Sequence, residues 1–217
     1  MDELLISGDR QAGLPFATRS EVIARNGIVA TSHPLATQIA IDVLKKNGTA
    51  IDAAIAANAA LGLMEPHSCG LGGDLFAIVY SSAKKKLYGL NASGRSPRAL
   101  TLDALAKRGR RQMPAHGPLS VTVPGCVDGW FALHEKFGSL PMKELLAPAI
   151  DYAREGFPVT QIIAHQWQKS AEHLQKYPNF RKIYLPKGRA PEVGELFKNP
   201  DLASALQAIS AGGREVF

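Results

Sequence analysis

The stretch Ala50-Ile-Asp-Ala-Ala-Ile-Ala-Ala-Asn-Ala-Ala-Leu-Gly-Leu63 constrains this chain more than any other. Almost every side chain in it is small or apolar, so a helix built from it has no polar face to give to water. Such a helix is stable only when other elements surround it, and its small side chains let their backbones approach closely. It is too short to cross a bilayer, which takes about 20 apolar residues, and no other stretch is long enough either. A core helix is therefore expected, with no membrane partner. The chain has the material to wrap it: 46% of its 217 residues are hydrophobic and 20% are charged, a globular balance and not a disordered one.

Punctuation places the remaining elements. Thr49 and Asp52 have capping-box spacing and open the core helix, which runs to about Met64. Before it, His33-Pro34 opens a helix from Leu35 to Lys46, stopped by Asn47-Gly48. Residues 1–26 read as a loop-like leader, and Gly27–Thr31 as a short buried strand. Pro66–Gly73 is a glycine-rich turn. Asp74–Tyr80 reads as a strand with a continuous buried run, Ser81–Lys86 as a hairpin turn and Leu87–Asn91 as the return strand. Further on come a basic helix over 102–108, an extended run Ser120–Pro124, and helices over 127–137, 142–155, 160–176 and 201–211. The C-terminal half is thus helix-rich, and the mixed order suggests α/β or α+β layers. No repeat or composition shift divides residues 1–217.

The net charge of +6 comes from Lys84–Lys86 and from Lys107-Arg108-Gly-Arg110-Arg111. Both runs sit among turn residues without interleaved aromatics, so they read as solvated loop charge, and no nucleic-acid motif accompanies them. Cys69 and Cys126 lack metal-ligand spacing, and a metal site is not expected. The N-terminus has acid where a signal peptide needs base, so a cytoplasmic, reducing compartment and free thiols are expected. Cys69 lies two residues from His67, yet nucleophile and base usually come from separate elements. Gly70-Leu-Gly-Gly73 lacks the spacing of a phosphate loop and reads as a tight turn. His33 and His67 read as turn or core partners. Asp52, buried, reads as a helix cap or a structural anchor.

Arg95 stands out. It follows the hairpin in Asn91-Ala-Ser-Gly-Arg-Ser-Pro97, and a guanidinium on a turn at a strand end can grip a carboxylate through two parallel hydrogen bonds. The alternative is a surface or structural arginine.

A series of segments carries a family resemblance: Gly27-Ile-Val-Ala-Thr-Ser-His-Pro-Leu-Ala-Thr-Gln, Leu44-Lys-Lys-Asn-Gly-Thr-Ala-Ile-Asp-Ala-Ala-Ile-Ala, Glu65-Pro-His-Ser-Cys-Gly-Leu-Gly-Gly-Asp, Val123-Pro-Gly-Cys-Val-Asp-Gly-Trp and Leu146-Ala-Pro-Ala-Ile-Asp-Tyr-Ala-Arg-Glu-Gly-Phe-Pro-Val159. In this order and spacing, from about residue 20 to the end, the chain resembles the early part of the large subunit of γ-glutamyltranspeptidases. The resemblance implies an α+β fold, part of the αββα sandwich of N-terminal-nucleophile hydrolases. It implies a precursor that cuts itself before a threonine, whose freed N-terminus attacks a γ-glutamyl amide and passes the acyl group to water or an amino acid. No cofactor is implied. The implied partners are a small-molecule γ-glutamyl substrate and the small subunit of the same precursor.

No catalytic residue of that scheme falls in this chain. It is expected to be a partial domain, a portion of a longer product and inert alone. In the family, a Phe-Arg-Glu-x-x-Pro pattern supplies an arginine for the substrate α-carboxylate. Here, counting back from Pro97, Ser93 takes that position and Arg95 is displaced by two. Arg95 is the candidate α-carboxylate contact, and the shift opens a second expectation: a related acylase, cephalosporin-acylase-like, with a different acyl group. A non-catalytic fragment or interaction module is the reading from another class.

Overall fold

The computed structural model of the protein describes residues 20–217. The leader expected over 1–26 falls largely outside the described residues, and its remainder, 20–26, is irregular.

The core helix forms as its caps dictate. Helix α1 covers Pro34–Lys45 and helix α2 covers Ala50–Met64. At the start of α1, His33 Nδ1 accepts the Leu35 backbone N–H, and Pro34 occupies the first turn, where its missing donor costs nothing. Asn47 takes a left-handed φ of 63° and turns the chain between the helices. Thr49 and Asp52 complete the capping box reciprocally, the Asp52 N–H reaching Thr49 Oγ1 at 3.1 Å and the Thr49 N–H reaching Asp52 Oδ2 at 2.8 Å.

As its composition demands, α2 is enclosed. Ala53, Ile55, Ala56, Ala57, Ala59, Ala60, Leu63 and Met64 are all buried. Around it pack α1, α4 (Cys126–Phe137) and α5 (Met142–Glu155), and α5 in turn packs on α8 (Pro200–Gly212). Enlarging an alanine in such a helix costs about 1–3 kcal/mol through overpacking. Between α5 and α8 lie α6 (Gln161–Leu174) and α7 (Pro178–Tyr184), with the two-residue strands β3 (Phe157–Pro158) and β4 (Leu196–Phe197) paired antiparallel. An aromatic cluster holds this end: Trp167 meets Phe197 edge-on at 4.6 Å and donates its indole N–H to the Tyr184 carbonyl at 3.0 Å.

On the other side, β1 (Leu75–Ser81) and β2 (Lys86–Ala92) form an antiparallel hairpin. Leu75, Ala77, Val79 and Leu90 pack toward the core, against α4. The opposite face presents Phe76, Ile78, Tyr80 and Leu87 to solvent, with Ile78 81% exposed. The continuous buried run expected for residues 74–80 is therefore corrected: burial alternates because only one face of the hairpin is covered by described residues.

Other expectations are corrected too. Gly27–Thr31 forms no strand among the described residues, for its ladder groups find no neighbouring strand there. Residues 121–124 carry no ladder, preceded by a single 3-10 turn at Pro118–Ser120 and followed by Gly125 at the start of α4. Helix α3 is short, Leu102–Ala106. The helix expected over 160–176 ends at Leu174, before Pro178, and Pro178 then begins an unexpected further helix, α7, at its first turn. Both basic runs are solvent-exposed, as expected.

Candidate substrate groove

Ser93 and Arg95 lie in the turn that leaves β2, and an extended segment from a distant part of the sequence is laid against them. The Val123 N–H donates to the Arg95 carbonyl at 2.8 Å. Thr122 Oγ1 lies 3.4 Å from the Ser93 carbonyl and 3.3 Å from Asp74 Oδ1, at the foot of β1. The Ser93 N–H donates to Asn91 Oδ1 at 3.0 Å, closing a local turn.

The approach requires glycine. Gly94 has φ +76°, and a Cβ there would sit 1.8 Å from the Val123 carbonyl oxygen. A Cβ on Gly125 would sit 2.2 Å from the Ala92 carbonyl oxygen. The segment then enters α4, whose first N–H groups, at Gly125 and Cys126, both donate to the Gly73 carbonyl at 3.2 and 3.0 Å. The Gly73 carbonyl thus braces the start of α4, but a Cβ on Gly70 or Gly72 would meet open space, so the close packing expected of the Gly70–Gly73 turn is found at Gly73 alone.

Between the turn and α4 runs an open groove of about 660 Å³. Its lining includes Ser93, Arg95, Arg98, Gly125 and Asp128. Ser93 is half-buried and Arg95 is exposed. Among the described residues neither Arg95 nor Arg98 has an ion-pair partner. Asp128, the one acid named in the lining, is paired with Arg214 at 2.6 Å. Arg214 also bonds Glu135 and lies over the Phe131 ring. The groove is therefore left with two uncompensated cations, an arrangement that attracts an anionic group. A free guanidinium fork beside a rigid turn is suited to a planar carboxylate.

The cysteines offer no comparable chemistry. Burial, with Cys69 and Asp74 adding to it, pushes the Cys126 thiol up to about 12, and its Sγ lies 3.5 Å from Asn58 Oδ1. Burial and then Glu65 raise Cys69 as well, so the nucleophilic thiolate is disfavoured at both. His33 is fully buried, and burial, only partly opposed by Glu65, lowers its pKa. Asn58, unexplained by sequence, accepts the Trp130 indole N–H at 2.8 Å. Among the described residues no group of three or more His, Cys, Asp or Glu is arranged to hold a metal.

The sequence singled out Ser93 and Arg95 as candidates; the structure brings Thr122, Arg98 and Asp128 beside them, which the sequence did not indicate. The only signal was Val123-Pro-Gly-Cys-Val-Asp-Gly-Trp, which marked the segment without indicating where it packs.

Comparisons with known proteins agree on one set of relatives. The profile described as gamma-glutamyltranspeptidase matches residues 36–217. The chain is 38% identical over 197 residues to the glutathione hydrolase-like YwrD proenzyme of Bacillus subtilis, covering 90% of this chain and 37% of that one. It is 36% identical over 204 residues to the oxamate amidohydrolase proenzyme of Klebsiella pneumoniae, covering 91% of this chain and 38% of the relative. Among solved structures, cephalosporin acylase from Bacillus halodurans superposes with a TM-score of 0.88 at 43% identity, over 94% of this chain and 39% of that one. The chain thus spans well under half the length of these proteins.

Proposed function

The chain belongs to the gamma-glutamyltranspeptidase family, with the α+β fold of the N-terminal-nucleophile hydrolases, and on that premise we propose that the whole protein cleaves γ-glutamyl amides. The acyl group passes to water or to an amino acid. In this reading the nucleophile is an N-terminal threonine released by self-cleavage, in the part of the precursor that these residues do not span. The threonine hydroxyl attacks the amide carbonyl while its own α-amine takes the proton. As the C–N bond breaks, that proton passes to the substrate's amide nitrogen, which departs as a neutral amine and leaves the acyl group as an ester on the threonine. This chain contributes substrate recognition. The observation that supports it is Arg95, exposed on a braced turn, facing the groove and without an ion partner among the described residues.

The remainder of the same precursor is the proposed protein partner. Relatives bear proenzyme names, and the outer face of β1 and β2 exposes Phe76, Ile78, Tyr80 and Leu87, an apolar surface that a second layer of strands would cover.

A second reading has specific support. Ser93 stands at the position where the family pattern has arginine, and the chain is similar to a cephalosporin acylase and to an oxamate amidohydrolase. The same groove would then hold the carboxylate of a different acyl donor. Both readings keep Arg95 on a carboxylate and differ in the acyl chain. The test is hydrolysis of a γ-glutamyl anilide by the complete, processed protein, beside a carboxylate-bearing side-chain amide of a β-lactam and oxamate. Turnover of the γ-glutamyl anilide at the highest kcat/KM supports the first reading. Preference for either other amide overturns it in favour of the second.

A further inference from the structure

We infer that Thr122 is a positioning residue for the substrate carboxylate: its hydroxyl ties the Ser93-Gly94-Arg95 turn to the foot of β1 and so sets where the Arg95 guanidinium stands. The inference rests on the reading of Arg95 as the carboxylate contact.

Four contacts carry it. Thr122 Oγ1 is within 3.4 Å of the Ser93 carbonyl and 3.3 Å of Asp74 Oδ1. One residue on, the Val123 N–H holds the Arg95 carbonyl at 2.8 Å. Gly94, between the two anchored carbonyls, has its α-carbon against the Val123 carbonyl so closely that no side chain fits. The turn is therefore anchored on both sides of Gly94 by one strip of backbone, residues 122–123. Asp74 is the residue before β1, and β1 is paired to β2 along its full length. The hydroxyl thus closes a loop from β1 through Thr122 to the turn after β2.

The chemistry of the hydroxyl matters. The one hydroxyl proton of Thr122 faces two acceptors, the Asp74 carboxylate and the Ser93 carbonyl, and is shared between them. Valine, of nearly the same shape, keeps the packing and removes the one donor that both acceptors share. Serine keeps the hydroxyl. The arginine itself is untouched in either variant, so an effect on carboxylate recognition must act through its position.

The test uses the full-length, self-processed protein. KM and kcat are measured with a γ-glutamyl anilide, and inhibition constants with L-glutamate and with 4-aminobutyrate, which lacks the α-carboxylate. For Thr122→Val we expect KM and the L-glutamate constant to rise about tenfold, the size of one lost charge-assisted contact. The 4-aminobutyrate constant and kcat should stay within about twofold, and Thr122→Ser should restore wild-type values. A merely structural role would move both inhibitors together, and that result overturns the inference. If Arg95→Ala raises the L-glutamate constant while Thr122→Val does not, the inference alone fails. If Arg95→Ala raises neither constant, the assignment of Arg95 fails and takes this inference with it.

Discussion

Replacing Asp52 with asparagine removes a charge from the fully buried N-terminus of α2. The carboxylate binds the Thr49 N–H at 2.8 Å within its own cap. It also binds the Ser139 N–H at 3.1 Å, the Ser139 hydroxyl at 2.8 Å and the Leu140 N–H at 3.3 Å, across 87 residues or more of sequence. Burial raises its pKa, but the bonds from Thr49, Ser139 and Leu140 outweigh that and hold it below the ordinary carboxylate value. The ionised form is thus favoured by folding despite its burial. In the asparagine variant the bonds from Thr49, Leu140 and the Ser139 hydroxyl lose their charge assistance, at about 0.5–1.5 kcal/mol each. The new NH₂ also faces the Ser139 N–H, which lies 3.2 Å from Oδ1. The expected loss is about 2–5 kcal/mol, a large share of a typical total of about 5–15 kcal/mol. Urea unfolding followed by the fluorescence of Trp130 and Trp167, both buried, measures it. The sign of the pH dependence follows from the depressed pKa. Asp52 contributes stability above the ordinary carboxylate range and loses it as pH falls through its folded value. Asp52→Asn should therefore flatten the acid limb of stability against pH. A variant within about 0.5 kcal/mol of wild type, with an unchanged acid limb, would refute the reasoning.

Three further outcomes are expected. Gly94→Ala, with φ +76° and a clash on the Val123 carbonyl, should cost about 1–3 kcal/mol of stability and raise KM, read by denaturation and kinetics. Arg214→Gln frees the Asp128 carboxylate beside the groove, so KM for an anionic donor should rise severalfold, with the difference shrinking in high salt. Cys126, buried and with its thiol pushed up to about 12, should resist iodoacetamide at pH 8 until the protein is unfolded; mass spectrometry of the alkylated peptides checks this.

Local chemistry was legible in the sequence, and long-range packing was not. The bounds of α1 and α2 followed from His33-Pro34, Asn47-Gly48 and the Thr49/Asp52 box, because caps act within a few residues. Helix α7 was missed because a proline that follows one helix can also occupy the first turn of the next. Gly27–Thr31 misled because an apolar run cannot reveal whether a partner strand exists. The outer face of β1 misled in the same way: Phe76, Ile78 and Tyr80 are apolar, yet no described residue covers them. At the site, Arg95 could be singled out by its turn, whereas Thr122 is joined to Ser93 and Asp74 across 29 and 48 residues. Ser139 was invisible as the partner of Asp52 for the same reason.

The central claim is that Arg95 holds the substrate carboxylate, and it is tested most directly by Arg95→Ala in the complete, processed protein. With a γ-glutamyl anilide, loss of a charge-assisted contact of about 1.5–3 kcal/mol should lower kcat/KM about ten- to a hundredfold, mostly through KM. A KM unchanged from wild type would contradict the account.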